Sequence, residues 1–186
     1  ISIDTRTLIK GDIFFALAGP NYDGHQFINE AIKKGACVVV SNAPVLDHQK
    51  KVIVVNDVVK ALIALGKSSR NRNKGKIIAV TGSSGKTTVK EMLALSLSDC
   101  GKIHYSQSSY NNKIGVSLSL ARMPSDTDFS IFEVGMNNYG EISYLSKMIK
   151  PDIGLINNAG SAHIKYFKSK KEIEKEKLEL ILGLNS

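Results

Sequence analysis

Glycine, lysine and threonine cluster in Gly82-Ser83-Ser84-Gly85-Lys86-Thr87-Thr88. Such a run can grip phosphate, because glycines let backbone N–H groups close around its oxygens and the N-terminus of a following helix favours negative charge. Lys86 would reach the outer phosphates, and the Thr87 hydroxyl would sit on Mg²⁺. The apolar Ile77-Ile78-Ala79-Val80 comes directly before the run, and a helical pattern follows it. That order is strand, loop, helix. The usual pattern wants a glycine five residues before Gly85, where this chain has Val80. The context, rather than the full spacing, identifies the loop.

Three further residues could do chemistry beside phosphate. Glu133 closes the apolar run that starts at Phe129. A carboxylate at a strand end suits Mg²⁺, which prefers carboxylate and phosphate oxygens; the plainer reading is a solvated residue at a strand terminus. His163 follows Ile153–Ile156 and the pair Asn157-Asn158, but a loop histidine is as often only a hydrogen-bonded side chain. Lys177 falls in the middle of a helix face made by Ile173, Leu180, Ile181 and Leu184, while Lys175, Glu176 and Glu179 point elsewhere. A lysine on a buried face loses solvation, and its pKa falls. A neutral amine can take up CO₂ as an anionic carbamate that could bind a metal. From the pattern alone, a lysine that snorkels to water is the readier account.

Strands and helices must bring these residues together. Residues 1–72 read as a first unit. Its strands are Ile13 to Ala18, Cys37 to Val40 and Val52 to Val55, and helices run through Phe27–Ile32 and from the cap Asp57 onward. The polar tract from Ser68 to Gly75 marks the boundary. Residues 73–186 form the second unit. Here Val89, Leu93 and Leu97 line a helix face, Ile103–Tyr105 is a strand, and Ser169 with Glu172 makes a capping box. The fold class is α/β: a small N-terminal α/β unit, then a phosphate-loop unit with a mostly parallel sheet and helices on both faces. In such sheets ligands lie outside the carboxyl ends of the strands, where Gly82–Thr87, Glu133 and Asn157–His163 all fall.

The 186 residues are 42% hydrophobic and carry a net charge of +8. That is enough apolar material for real cores. The lysines are scattered and aromatic residues make up only 6%, with no stacking array. An anionic small-molecule substrate therefore fits the charge better than nucleic acid does. Cys37 and Cys100 sit in or beside apolar segments and read as buried free thiols of a reducing compartment. No apolar run is long enough to span a bilayer and no signal-peptide pattern opens the chain. The start at Ile1 suggests that the natural N-terminus is missing.

Taken together, these segments resemble the Mur ligase family. Thr81–Thr88 resembles its short phosphate loop, which accounts for the missing glycine. Asn111-Asn112-Lys113-Ile114-Gly115, Glu133-Val134-Gly135-Met136-Asn137 and Asn157-Asn158 with Ala162-His163 are similar to its other motifs. Asp4-Thr5-Arg6 through Asp23-Gly24-His25 resembles its uridine-diphosphate-binding domain. The likeness covers nearly the whole chain and is strongest to the branch that joins a dipeptide. Ser117 departs where proline is common, Lys168 where glycine is, and Leu178 replaces a small residue after the special lysine.

The resemblance implies an ATP-dependent amide ligase of peptidoglycan synthesis. It would add D-alanyl-D-alanine to a UDP-N-acetylmuramoyl-tripeptide through an acyl phosphate. Gly82, Ser83, Ser84, Gly85, Lys86, Thr87 and Thr88 would bind ATP. Thr87 and Glu133 would hold one Mg²⁺; His163 and Lys177, the latter as its carbamate, would hold a second. Catalysis would rest on Lys86, Glu133, His163 and Lys177. Thr5, Arg6, Asn21, Asp23, Gly24 and His25 would contact the nucleotide-sugar, and Asn111 and Asn112 the muramoyl peptide. A cytoplasmic monomer is expected, without nucleic acid or membrane span. Members have a third, C-terminal domain, so the chain reads as a fragment that is inactive alone. The rival readings are a sister ligase using an amino acid or glutamate, and a non-catalytic nucleotide switch.

Overall fold

Short β-branched and aromatic runs build the first unit, Ile1–Leu65. The computed structural model describes residues 1–20, 22–107, 109–160, 167 and 169–185. The strand expected from Ile13 to Ala18 stops early. Ile13–Phe15 forms β1, and the Leu17 N–H then donates to the Phe15 carbonyl at 2.9 Å in a tight turn. Ala18–Gly19 (β2) and Tyr22–Asp23 (β3) pair as a small antiparallel hairpin. The helix Ile28–Lys33 (α1) leads to Val38–Ser41 (β4) and Val52–Val54 (β5), which lie parallel in the order β1-β4-β5. Phe14, Ala16, Ile28, Ala31 and Val39 close one core.

The cysteine expectation is wrong: Cys37 and Cys100 are free but exposed. Cys37 lies just before β4, and Cys100 ends a short turn of 3-10 helix, Ser98–Cys100. Apolar neighbours in sequence did not bury residues that flank an element.

The polar tract is not a linker throughout. Val58–Arg72 is one helix, α2, and the division between units falls within it, at Leu65/Gly66. Polar residues of this tract are buried because backbone carbonyls satisfy them. Arg70 donates to the carbonyls of Ile149 at 2.6 Å and Lys150 at 2.7 Å, and Ser69 reaches that of Ala121 at 3.5 Å. Burial pushes the Arg70 pKa down, partly offset by Asp152.

The second unit, Gly66–Ser186, continues through Lys76–Thr81 (β6), Lys86–Leu97 (α3), Ile103–Tyr105 (β7) and Lys113–Arg122 (α4). Phe129–Glu133 (β8), Glu141–Ile149 (α5), Ile153–Ile156 (β9) and Lys170–Leu178 (α6) complete it. All four strands are parallel, in the order β7-β8-β6-β9. Ile78, Val80 and Ile131 face α3 through Val89, Leu93, Ala94 and Leu97. Strand alternation turns Ile77, Ala79 and Phe132, all fully buried, to the other face.

The chain leaves β6, crosses to the edge at β7, returns to β8 and passes to the far side of β6 at β9. The carboxyl ends of β8, β6 and β9 thus stand side by side, with Val80 opposite Glu133 and Thr81 opposite Ile156. The strand start is set by a close approach at Gly75. A Cβ there would lie 2.2 Å from the Thr127 carbonyl oxygen and 2.5 Å from that of Asp128. Gly75→Ala is expected to cost about 1–3 kcal/mol of stability. Urea unfolding checks this; an unchanged midpoint would mean that the β6–β8 approach adapts freely.

Candidate functional site

The turn after β6 is shaped by its glycines and by two asparagines from the end of β9. Gly85, the residue before α3, has φ +73°, and a Cβ there would lie 2.7 Å from the Asn157 amide nitrogen. Both the backbone conformation and the close approach require glycine. Asn158 Oδ1 accepts the N–H groups of Ser83 (3.0 Å) and Ser84 (3.1 Å), while Asn157 Nδ2 donates to the Ser84 carbonyl at 2.9 Å. These bonds tie the turn to the end of β9 at the start of a 12-residue helix, with Asn158 occupying the Ser83 and Ser84 N–H groups. Lys86 folds back over the turn, its Nζ donating to the Gly82 carbonyl at 2.8 Å. Thr88 follows in the first turn of α3. Sequence reasoning placed the asparagines after a strand but gave them no role; their adjacency to the loop comes from the β6–β9 pairing.

Glu133 is 1% exposed at the end of β8. The Thr87 hydroxyl donates to its Oε2 and the Asn111 amide to its Oε1, both at 2.8 Å. The structure thus joins the loop helix, the β8 carboxylate and the Asn-Asn segment in one hydrogen-bonded set. A solvated strand-end residue does not describe Glu133. Asn112 does a different job: its Oδ1 accepts the Gly115 N–H at 2.9 Å and caps α4. Hydroxyl and carboxylate oxygens are the donors that Mg²⁺ takes, and Mg²⁺ needs only one or two carboxylates because it keeps water and phosphate oxygens. The Thr87–Glu133 pair fits such an ion. No cluster of three His, Cys, Asp or Glu side chains able to hold a metal occurs among the described residues. His163, expected as a metal ligand, lies outside the described residues, as does Asn21.

The expected capping box opens α6: the Ser169 hydroxyl accepts the Glu172 N–H at 3.3 Å. Ile173 and Leu180 are buried, and Lys177 between them is only 2% exposed. Two expectations about this face fail. Glu176 does not point away; it is buried and accepts the Gly140 N–H at 2.7 Å. Ile181 and Leu184 are exposed, because the helix tightens to 3-10 form over Glu179–Gly183 and its apolar stripe drifts. Leu178 is exposed too, so the bulk at that position meets no neighbour in the core. Burial, and then the charge of Lys86, push the Lys177 pKa down to about 8 against the pull of Glu176. Burial also raises Glu176.

In the first unit, Asp23 accepts both the backbone N–H of His25 (3.0 Å) and its Nδ1 (2.5 Å), capping the short helix Gly24–Phe27. These bonds hold the Asp23 carboxyl below its usual range. His25 Nε2 is buried without a hydrogen-bond partner among the described residues. Thr5 is buried, its carbonyl accepting from Lys34 Nζ at 2.9 Å. Arg6 is held against Asp4, with its side chain 86% exposed.

The family model for the Mur ligase middle domain matches residues 80–186, and that for the Mur ligase family, catalytic domain, matches residues 1–80. Over 97% of its length the chain is 41% identical to a UDP-N-acetylmuramoyl-tripeptide–D-alanyl-D-alanine ligase of Rickettsia prowazekii. It is 43% identical to the ligase of the same name from Synechocystis, again over 97%. The chain spans about 40% of the length of these relatives. The crystal structure of MurF from Acinetobacter baumannii superposes with a TM-score of 0.87 at 35% identity, covering 99% of this chain and 41% of that one. MurF ligase from Thermotoga maritima in complex with ADP gives 0.84 at 29%, covering 99% and 43%.

Lys177 links the site to pH. Its folded pKa of about 8 lies below the unfolded value near 10.4, so between them the unfolded chain binds more protons and stability rises with pH. The cost of burying the charge is fully present below pH 8. Lys177→Met removes it, so the variant is expected to be the more stable at neutral pH by a margin that narrows as pH climbs from 8 towards 10. Urea unfolding of both chains across that range provides the check; parallel curves would contradict it.

Proposed function

The chain belongs to the Mur ligase family, and from that premise we propose that it carries the nucleotide-binding part of an ATP-dependent ligase adding D-alanyl-D-alanine to a UDP-N-acetylmuramoyl-tripeptide. The observation that carries this reading is the buried Glu133, bonded to Thr87 of the phosphate-loop helix and to Asn111. A carboxylate must meet a polyanion in this reaction, so charge neutralisation matters more than acid–base chemistry.

An oxygen of the tripeptide's terminal carboxylate attacks the γ-phosphorus of ATP. The bond to the bridging oxygen breaks and ADP leaves. The dipeptide amine then attacks the acyl carbon, the carbon–oxygen bond to phosphate breaks, and the amine gives up a proton. Lys86 and the backbone of Gly82–Gly85 hold the phosphates once Lys86 leaves the Gly82 carbonyl and the Ser83 and Ser84 N–H groups leave Asn158, with Ser83, Ser84 and Thr88 around them. Thr87 and Glu133 would hold one Mg²⁺; His163 and a carbamate on Lys177 would hold a second. Bound Mg²⁺ draws charge from the phosphate oxygens. Thr5, Arg6, Asn21, Asp23, Gly24 and His25 bind the nucleotide-sugar, and Asn111 and Asn112 orient the muramoyl peptide. The lowered pKa of Lys177 supports the carbamate, since only the neutral amine takes up CO₂. The ATP requirement assigns the reaction to the cytoplasm. A monomer suffices, because every group named belongs to one chain.

Phosphate release by the full-length protein, with each substrate omitted in turn, tests the reading. All three substrates are expected to be required, and Lys86→Ala is expected to abolish ADP release. Turnover that prefers a free amino acid to D-alanyl-D-alanine would reassign the acceptor. In ¹³C-bicarbonate, the wild type is expected to show a carbamate carbon by NMR that Lys177→Met lacks and that strengthens as pH rises from 7 to 9. Identical spectra would remove the carbamate from the account.

A further inference from the structure

Helix α3 buries a second cation one turn beyond Thr87. Lys90 is 0% exposed. Its Nζ donates to the Ser106 carbonyl at 2.6 Å, pairs with Glu91 Oε1 at 3.0 Å and lies 5.7 Å from the centroid of the Tyr105 ring. Burying an ammonium is costly, and an apolar side chain of the same length would fill the space at less cost. Beside its pairing with Glu91, the lysine adds a hold on Ser106.

Ser106 stands where that hold matters. It is fully buried just past β7, and its N–H donates to the Ile131 carbonyl at 3.1 Å. Its hydroxyl accepts the backbone N–H of Glu133 at 3.3 Å. The same segment leads on to Asn111, which bonds Glu133 Oε1 and whose carbonyl accepts the Gly135 N–H at 2.8 Å. Glu133 is thus fixed at its backbone through Ser106 and at its two oxygens through Thr87 and Asn111. Thr87 and Lys90, three residues apart on one helix face, reach both ends of this arrangement.

We propose that Lys90 is a positioning residue for the nucleotide–cation site: by tying α3 to Ser106 it sets the Glu133 carboxylate against the Thr87 hydroxyl. It acts through Ser106 and touches neither nucleotide nor cation. The inference rests on the reading that Glu133 holds Mg²⁺ beside the nucleotide. Outer partners of this kind are worth about 10–100-fold in metal affinity.

The test is binding of a fluorescent ADP analogue to the full-length protein, with and without Mg²⁺, alongside thermal melting. In Lys90→Met the affinity without Mg²⁺ is expected to stay within about twofold of wild type, while the gain in affinity from Mg²⁺ falls about tenfold. A merely structural lysine would shift both affinities together or neither. A folded Lys90→Met with the wild-type gain overturns the proposal. If that variant does not fold, Ser106→Ala decides: it keeps the carbonyl and removes the hydroxyl, and it is expected to lose the gain likewise. An unchanged gain there also overturns the proposal. A wild type that shows no Mg²⁺ gain at all refutes the cation site itself, and this inference with it.

Discussion

A carboxylate without solvent must be met by donors, and most of the second unit is arranged around meeting one. Glu133 is nearly fully buried, yet both its oxygens are hydrogen-bonded and its backbone is anchored. A buried charge that loses one partner costs more than the pair contributes when intact, so each donor must be placed accurately. Thr87 reaches Glu133 only because α3 starts where it does, and α3 starts there because Gly85 adopts a left-handed turn. Asn111 reaches it because Asn112 begins α4 directly afterwards.

Sheet order explains why these donors converge. Thr87 follows β6, and Ser106 and Asn111 follow β7. The order β7-β8-β6 sets both strand ends beside Glu133 at the end of β8, while β9 on the far side of β6 brings Asn157 and Asn158 to the loop. The same parallel order puts α6 in play. Glu172 bonds the Tyr139 hydroxyl at 2.5 Å, and Glu176 bonds the Gly140 N–H, so α6 is fastened to the segment after β8 from two successive turns. Lys177 is carried inward by that fastening.

The parts legible in the sequence were those governed by local pattern. Strand, glycine turn and helix ran in order from Lys76 to Leu97, and Ser169 capped the last helix as its spacing implied. The 3.6-residue period put Lys177 on the apolar face, but the readier account from the pattern, a lysine snorkelling to water, is wrong: the side chain is 2% exposed. What escaped depends on partners distant in sequence. Arg70 looked like linker because its acceptors lie some 80 residues away. Glu176 looked solvent-facing because nothing in its own helix announces the Gly140 N–H. Asn158 gained its role from a strand pairing, and the exposed Ile181 from a change of helix type. Polarity and period describe an element; they do not reveal which buried polar groups a neighbouring element satisfies.

The electrostatics around Lys86 and Lys177 give the proposed carbamate a physical logic. Burial is the larger cause of the lowered Lys177 pKa, and repulsion by Lys86 at the start of α3 adds to it. Repulsion favours the neutral amine at 177, the form that reacts with CO₂. Once an anion stands there, the same proximity becomes attractive, and the interaction that depressed the pKa now stabilises the product. Lys86 would then favour the carbamate twice, first by discharging the amine and afterwards by pairing with what it becomes. A polar residue at 177 in place of the lysine would receive neither effect, so the loop lysine and the buried lysine form one electrostatic unit although 91 positions separate them.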